Sequence, residues 1–125
     1  MSELKYKEIT EKIIGASFEV HKFLGNGFQE VIYQRALAWE FSQRGLLMHV
    51  KLSRKYFTKN YKNRLVQDVL ILLWEGKVLV ELKAIIQLED VHLAQVLNYL
   101  KAYKLEVALL INFGSKSLTF KRIVL

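Results

Sequence analysis

Residues 65–83 read LVQDVLILLWEGKVLVELK, and this stretch decides how the chain is expected to fold. Two runs rich in Val, Leu and Ile, residues 65–73 and 78–82, flank the short segment 74–77. Apolar runs of this length around a turn signal are typical of two buried strands joined as a hairpin. Charges inside buried strands need a reason, because burying a charge is costly unless it is paired. The hairpin carries Asp68, Glu81 and Lys83.

The turn determines which residues of the two strands face each other. A two-residue loop pairs Trp74 with Lys77. In that register Asp68 lies opposite Lys83. Glu81 lies diagonal to Asp68 on the same face, because alternate residues of a strand share a face. The hairpin therefore predicts two carboxylates and one ammonium group on one face of a sheet.

Such a cluster suggests a metal site. Carboxylates held close together repel each other unless a proton or cation lies between them. Oxygen ligands without His or Cys suit Mg²⁺ or Mn²⁺ better than zinc. Such an ion polarises a phosphoryl oxygen and acidifies its bound water, and Lys83 would orient that water or neutralise charge on the phosphate. The alternative is a structural salt bridge between Lys83 and Asp68.

The rest of the sequence predicts three helices and three more strands around this hairpin. It predicts helices over 4–24, 28–44 and 88–104 and further strands over 48–54, 106–112 and 117–124. The order ααβββαββ indicates an α/β (α+β) fold with a central mixed β-sheet flanked by helices. At 125 residues, 52% of them hydrophobic, the chain is expected to form a single domain over 1–125.

The composition excludes several functional classes. Without Cys the chain forms no disulfide, thiolate zinc site or iron–sulfur cluster. No apolar run reaches the roughly 18 residues of a spanning helix, and no signal peptide is read after Met1. A cytoplasmic protein that does not enter a membrane is therefore expected. The net charge of +7 favours a polyanionic partner, of which nucleic acid is the commonest inside cells.

The positive charge is concentrated in residues 51–64. This segment has no acid, and its cations are Lys51, Arg54, Lys55, Lys59, Lys62 and Arg64. Tyr56, Phe57 and Tyr61 interleave with them. A basic strand pair with aromatics predicts a surface that holds phosphates and stacks an unpaired base. The alternative is a solvated hairpin whose lysines discourage edge-to-edge pairing.

Three helical side chains are further candidates for the site. Glu30 lies in the first turn of the second helix, where a carboxylate also favours the positive helix end. Gln95 and Tyr99 lie four residues apart on one face of the third helix, in a polar row with His92. The alternative for this row is an ordinary solvated helix face.

Two motifs resemble a known superfamily. Asp68, followed after twelve intervening residues by Glu81-Leu82-Lys83, resembles the D…ExK core of the PD-(D/E)XK nucleases. Gly27-Phe28-Gln29-Glu30-Val31-Ile32-Tyr33 is similar to the GxxExxY signature of a family of small proteins within that superfamily. The resemblance extends over about residues 9–125. Its departures are Asn26, where members often carry Pro, and Val66-Gln67, where Arg-Ala is usual.

The resemblance implies a restriction-endonuclease-like core and hydrolysis of phosphodiester bonds with Mg²⁺ (or Mn²⁺). Its substrate would be nucleic acid, and DNA is favoured over RNA, with both left open. The metal ligands it implies are Asp68, Glu81 and Glu30. Lys83 would activate water or stabilise charge on the phosphate, and Gln95 and Tyr99 would position substrate or water. Two alternatives stay open: a nucleic-acid-binding module without catalysis, and a homo-oligomeric protein-interaction or regulatory domain. A homodimer also stays open for the nuclease, because one small chain covers little duplex.

Overall fold

The structure, a computed structural model, describes residues 6–45, 48–53, 69–74 and 77–125. These ranges contain three helices and five strands. The elements are α1 (Lys7–Leu24), α2 (Glu30–Gln43), β1 (Met48–Ser53), β2 (Val69–Trp74), β3 (Val78–Lys83), α3 (Asp90–Tyr103), β4 (Val107–Asn112) and β5 (Thr119–Val124).

The strands form one mixed sheet in the order β1-β2-β3-β4-β5. β3 and β4 are parallel, and the other neighbouring pairs are antiparallel. α3 forms the crossover between β3 and β4, since parallel neighbours cannot be joined by a tight hairpin. The predicted order ααβββαββ and the central mixed sheet flanked by helices are confirmed. The arrangement is an α+β, restriction-endonuclease-like fold.

The predicted register of the β2–β3 hairpin is wrong by one residue. Trp74 pairs with Val78 and not with Lys77, and Leu72 pairs with Val80. Residues 75–77 therefore connect the strands where a two-residue loop was predicted, and one extra residue moves every partner to the neighbouring position. The register consequently no longer supports a shared face for Asp68 and Glu81. Asp68 itself lies outside the described residues.

Each face of the sheet carries its own apolar layer. On one face, α1 and α2 pack on a cluster that includes Val78, Val80 and Leu82. On the other face, α3 packs on a cluster that includes Leu79. Alternate residues of β3 thus point into different layers, which explains why the strand reads as a continuous apolar run. The same alternation puts Glu81 and Lys83 on the face covered by α3.

The loop between α1 and α2 is fastened by Tyr33. Gly25 and Gly27 take φ values of 70° and 109°, in the region where a side chain is strained. The fully buried Tyr33 donates its hydroxyl to the Gly25 carbonyl at 2.6 Å and accepts from the Phe28 N–H at 3.3 Å. Its ring stacks on Phe113 at 4.7 Å. Gly27 and Tyr33, two of the three signature positions, therefore fix the shape of this loop. The third signature position, Glu30, is the first residue of α2.

Hydrogen bonds of Asn112 join the segment after β3 to the end of β4. Asn112 is fully buried, and its Oδ1 accepts from the N–H groups of Ile85 and Gly114, each at 3.0 Å. Its Nδ2 donates to the Ile85 carbonyl at 2.9 Å. Gly114 packs so closely on this segment that an added Cβ would overlap the backbone of Ile85. The two connections can pass each other only because residue 114 has no side chain.

This close approach gives a test with a matched control. Gly114→Ala is expected to lower the free energy of unfolding by about 2 kcal/mol, because the backbone at Ile85 must move to admit a methyl group. Gly15→Ala adds the same group in α1, where nothing lies nearby, and is expected to raise stability by about 0.5–1 kcal/mol. Urea unfolding measures both variants. Equal free energies of unfolding would contradict the close approach.

Candidate functional site

The candidate site is built around the buried carboxylate of Glu81. Glu81 is 2% exposed, in a strand whose other residues are almost all apolar. Its Oε1 lies 3.5 Å from the Nζ of Lys83. Its Oε2 is buried and has no hydrogen-bond partner among the described residues. A buried carboxylate with one oxygen unsatisfied is costly, and that cost falls when a proton or a cation occupies the free oxygen.

Lys83 is held between the strand and α3. Its Nζ contacts Glu81 on one side and donates to the Oε1 of Gln95 at 3.3 Å on the other. The two charged residues come together because they are two positions apart on one strand face. Gln95 comes from the helix that covers this face. The structure therefore brings together three of the residues that the sequence analysis selected.

Glu30 belongs to the same electrostatic cluster, from the first turn of α2. Burial raises the pKa of Glu30, while the positive charge of Lys83 and a hydrogen bond from Gln34 oppose that rise. The Nε2 of Gln34 donates to Glu30 Oε1 at 3.2 Å. The hydrogen bond from Tyr33 to the preceding loop sets where this first turn begins.

Burial also raises the pKa of Glu81, to about 7. Lys83 counteracts part of that rise through its charge and hydrogen bond, whereas the negative charge of Glu30 adds to it. The carboxyl group is therefore poised to exchange its proton near neutral pH. A cation between two carboxylates would favour their ionised forms, because opposite charge lowers the pKa of an acid.

The polar row on α3 is not an ordinary solvated face, because two of its members have structural roles. Tyr99 is 8% exposed and packs in the apolar layer between α3 and the sheet. His92 forms part of a capping box: its Nδ1 accepts from the backbone N–H of Glu89 at 2.8 Å. His92 thus secures the start of the helix that carries Gln95, a role that the sequence analysis missed. Ser or Asp is the usual helix cap, and a histidine three residues into a helix gives little signal.

Several predicted site residues fall outside the described side chains. Asp68 lies outside the described residues, as do the basic residues Arg54, Lys55, Lys59, Lys62 and Arg64. Lys51 lies in β1, opposite Ile71 of β2. Within the described part of the chain, no group of three or more His, Asp or Glu side chains forms a metal site. Glu81 and Glu30 are the predicted ligands that the structure does describe.

Asn112 was also missed as a residue that supports the site. Through its bonds to Ile85 it anchors the segment that leaves the β3 strand directly after Lys83. The signal available in the sequence was an amide at the end of the apolar run VALLIN. An amide in a buried strand indicates a specific partner, since buried polar groups are nearly always hydrogen-bonded.

The described part of the site is a buried Glu-x-Lys pair on a central strand with a second acid at the start of α2. In the comparison with protein families, a model of the PD-(D/E)XK nuclease superfamily matches residues 7–123. The chain belongs to this superfamily. Its members usually use divalent metals, and membership implies a nucleic-acid substrate. Searches of curated proteins and of solved structures gave no significant match. Across the described ranges, no helix is long and apolar enough to span a membrane.

The raised pKa of Glu81 predicts how stability depends on pH without divalent ions. Between its ordinary value of 4.5 and about 7, the folded protein keeps a proton on Glu81 that the unfolded chain releases. The free energy of unfolding therefore falls as pH rises through this window, by about 3 kcal/mol. Glu81→Gln removes this pH-dependent contribution. The free energy of unfolding of the variant is therefore expected to rise relative to that of the unsubstituted chain between pH 4.5 and pH 8.

Urea unfolding in EDTA at several pH values measures the effect. Glu11→Gln is the matched control, because Glu11 is an exposed glutamate paired with the exposed Lys7 at 3.9 Å. Its pH profile is expected to follow that of the unsubstituted chain. A profile for Glu81→Gln that also runs parallel to the unsubstituted chain would contradict the pKa shift.

Proposed function

We propose that the protein is a divalent-metal-dependent nuclease of the GxxExxY family that hydrolyses phosphodiester bonds in nucleic acid, DNA rather than RNA. The observation that carries this proposal is the buried Glu81 carboxylate: one oxygen has no partner among the described residues, and the other lies 3.5 Å from the Lys83 ammonium group. A purely structural ion pair would use the cation to satisfy the acid fully, because an unpaired buried oxygen destabilises the fold.

Two of the described residues carry the ligand type that a hard divalent cation prefers. Glu81 and Glu30 offer carboxylate oxygens, the ligands that Mg²⁺ and Mn²⁺ prefer, and burial raises the pKa of both. In this proposal Glu81, Glu30 and Asp68 hold the metal, and Asp68 rests on the resemblance to the D…ExK core. When bound, Mg²⁺ or Mn²⁺ supplies polarisation of a phosphoryl oxygen and a more acidic water.

The remaining site residues act on the reacting phosphate and on each other. The Lys83 ammonium group stabilises the negative charge that grows on the phosphate as water attacks phosphorus and the P–O ester bond breaks. Gln95 fixes the direction of Lys83 through its 3.3 Å hydrogen bond. Tyr99 supports α3 from its buried side and positions Gln95, four residues earlier on the same helix.

Binding of the substrate is proposed to use the basic segment 51–64. The net charge of +7 gives the chain a general attraction for polyanions. Phosphates would contact Lys51, Arg54, Lys55, Lys59, Lys62 and Arg64, and the interleaved aromatics would stack on bases. The proposal includes one domain over residues 1–125, a cytoplasmic location and a homodimer on duplex substrates.

A second candidate is a homo-oligomeric interaction domain, and one feature favours it. An apolar groove of about 470 Å³ lies between α1 and α2. Two of its lining residues, Phe23 and Trp39, are 89% and 63% exposed. Exposed aromatics beside an apolar groove are typical of protein contacts. In this candidate Glu81 and Lys83 only stabilise the sheet.

Cleavage assays separate the candidates. Lys83→Met is expected to slow cleavage of DNA about 100-fold or more while changing substrate affinity little, because its charge matters most in the transition state. Lys101→Met, at an exposed lysine near the end of α3, is the matched control and is expected to retain full activity. Glu81→Gln is expected to abolish cleavage by removing a metal ligand. Strand length is followed on DNA and RNA with Mg²⁺, Mn²⁺ or EDTA.

Cleavage that survives Lys83→Met and Glu81→Gln would contradict the assignment of the site. Binding without metal-dependent cleavage of any substrate would favour the binding module. The absence of both binding and cleavage at low salt would favour the interaction domain.

A further inference from the structure

Residues 84–89 connect β3 to α3 directly after Lys83, and one of their side chains is a large, exposed aliphatic group. Ile86 is 90% exposed. A single exposed aliphatic residue is ordinary on protein surfaces. Ile86 differs from that case in its position, three residues beyond the lysine of the candidate site, and in the rigidity of its support.

The backbone directly before Ile86 is held by contacts with the end of β4 and the residues that follow it. The N–H and the carbonyl of Ile85 both bond to the buried side chain of Asn112, at 3.0 and 2.9 Å. The Lys83 carbonyl accepts from the N–H of Phe113 at 2.8 Å. Gly114 packs against the same stretch without room for a Cβ. The backbone that leads into Ile86 therefore has little conformational entropy left to lose on binding.

Ile86 also borders two hollows on the surface. One, of about 640 Å³, is lined by Ile85, Ile86, Gln87, Glu89 and His92. The other, of about 190 Å³, is lined by Ile86, Gln87, Leu88, Ser115, Thr119, Phe120 and Lys121. Ile86 and its neighbour Gln87 border both hollows. Lys121, exposed at the smaller hollow, brings positive charge to it and so suits a phosphate.

We propose that Ile86 is a wedge that inserts between two stacked bases of the nucleic acid bound at the site. This inference rests on the proposed nuclease function and specifies its substrate class. Apolar side chains inserted at a base step unstack it and kink the duplex. Unstacking costs free energy, and the cost is smallest where stacking is already interrupted. The wedge therefore favours nicked or branched duplex over intact duplex.

Binding experiments with a fluorescent base test the wedge. The probes are a 30-base-pair DNA duplex with one 2-aminopurine, intact or nicked beside that base, with Ca²⁺ in place of Mg²⁺ so that the strand stays uncut. The full chain is expected to increase 2-aminopurine fluorescence on binding, more strongly and with higher affinity for the nicked probe. Ile86→Ala is expected to remove the increase and weaken binding to the nicked probe about tenfold, through loss of buried apolar area.

Two further variants act as controls. Ile86→Leu keeps an aliphatic wedge and is expected to retain most of the signal. Phe23→Ala removes an equally exposed apolar side chain from the α1–α2 face, and it is expected to bind as the unsubstituted chain does. Thermal unfolding checks that all the variants fold.

The outcomes distinguish failure of the wedge from failure of the nuclease proposal. Unchanged fluorescence and affinity in Ile86→Ala, with metal-dependent cleavage intact, would overturn the wedge alone. Equal affinity of the unsubstituted chain for intact and nicked probes would overturn the proposed preference. A chain that binds no DNA at low salt would overturn the wedge and the nuclease function together.

Discussion

The burial of one carboxylate, Glu81, is the constraint on which the site depends. It lies in a strand that is apolar on both faces, between the sheet and α3. A buried acid with an unsatisfied oxygen opposes folding, so a protein that only had to be stable would replace it with an apolar residue. Here an ammonium group offsets part of the cost, and one oxygen stays without a partner in the described structure. The fold thus keeps a buried carboxylate whose second oxygen has no partner among the described residues, where a proton or a cation would be favourable.

Much of the surrounding structure holds the groups around that carboxylate. The Tyr33 hydrogen bonds fix the loop before α2, and Glu30 stands at the start of that helix. The His92 capping box begins α3, which brings Gln95 to Lys83. Asn112 and Gly114 fasten the exit of β3. Each of these contacts involves a residue more than ten positions from Glu81 in the sequence, and each limits how far a charged group near the acid can move.

The fold could be predicted largely from local pattern. The apolar runs, the glycine breaks and the helical spacing were enough to place the elements in order, because each is specified within about ten residues. The hairpin register was not predictable in this way. It depended on the length of the connection at 75–77, and Glu-Gly is a weak turn signal compared with Asn-Gly. One residue of difference changed which positions of β2 share a face with Glu81.

The site was predictable only in part, for a related reason. Glu81 and Lys83 share a strand face by simple alternation, so their contact follows from the sequence. The bond from Lys83 to Gln95 and the bonds of Asn112 to Ile85 join residues 12 and 27 positions apart. No periodicity encodes such contacts; they exist only once the crossover helix and the parallel strands have packed. Tyr99 was selected as a member of a polar row on α3, yet its side chain is buried in the apolar layer between that helix and the sheet.

Calorimetric titration with Mn²⁺ tests the central claim most directly, because it reports on the carboxylate without requiring the substrate. At pH 8 the unsubstituted chain and the exposed control Glu11→Gln are expected to bind Mn²⁺ with equal affinity. Glu81→Gln is expected to bind at least tenfold more weakly, since it loses an anionic ligand. At pH 6 the unsubstituted chain is expected to release a proton as Mn²⁺ binds, because the pKa of Glu81 is about 7. Equal Mn²⁺ affinity in Glu81→Gln and the unsubstituted chain would contradict the claim that Glu81 is kept buried to bind a metal.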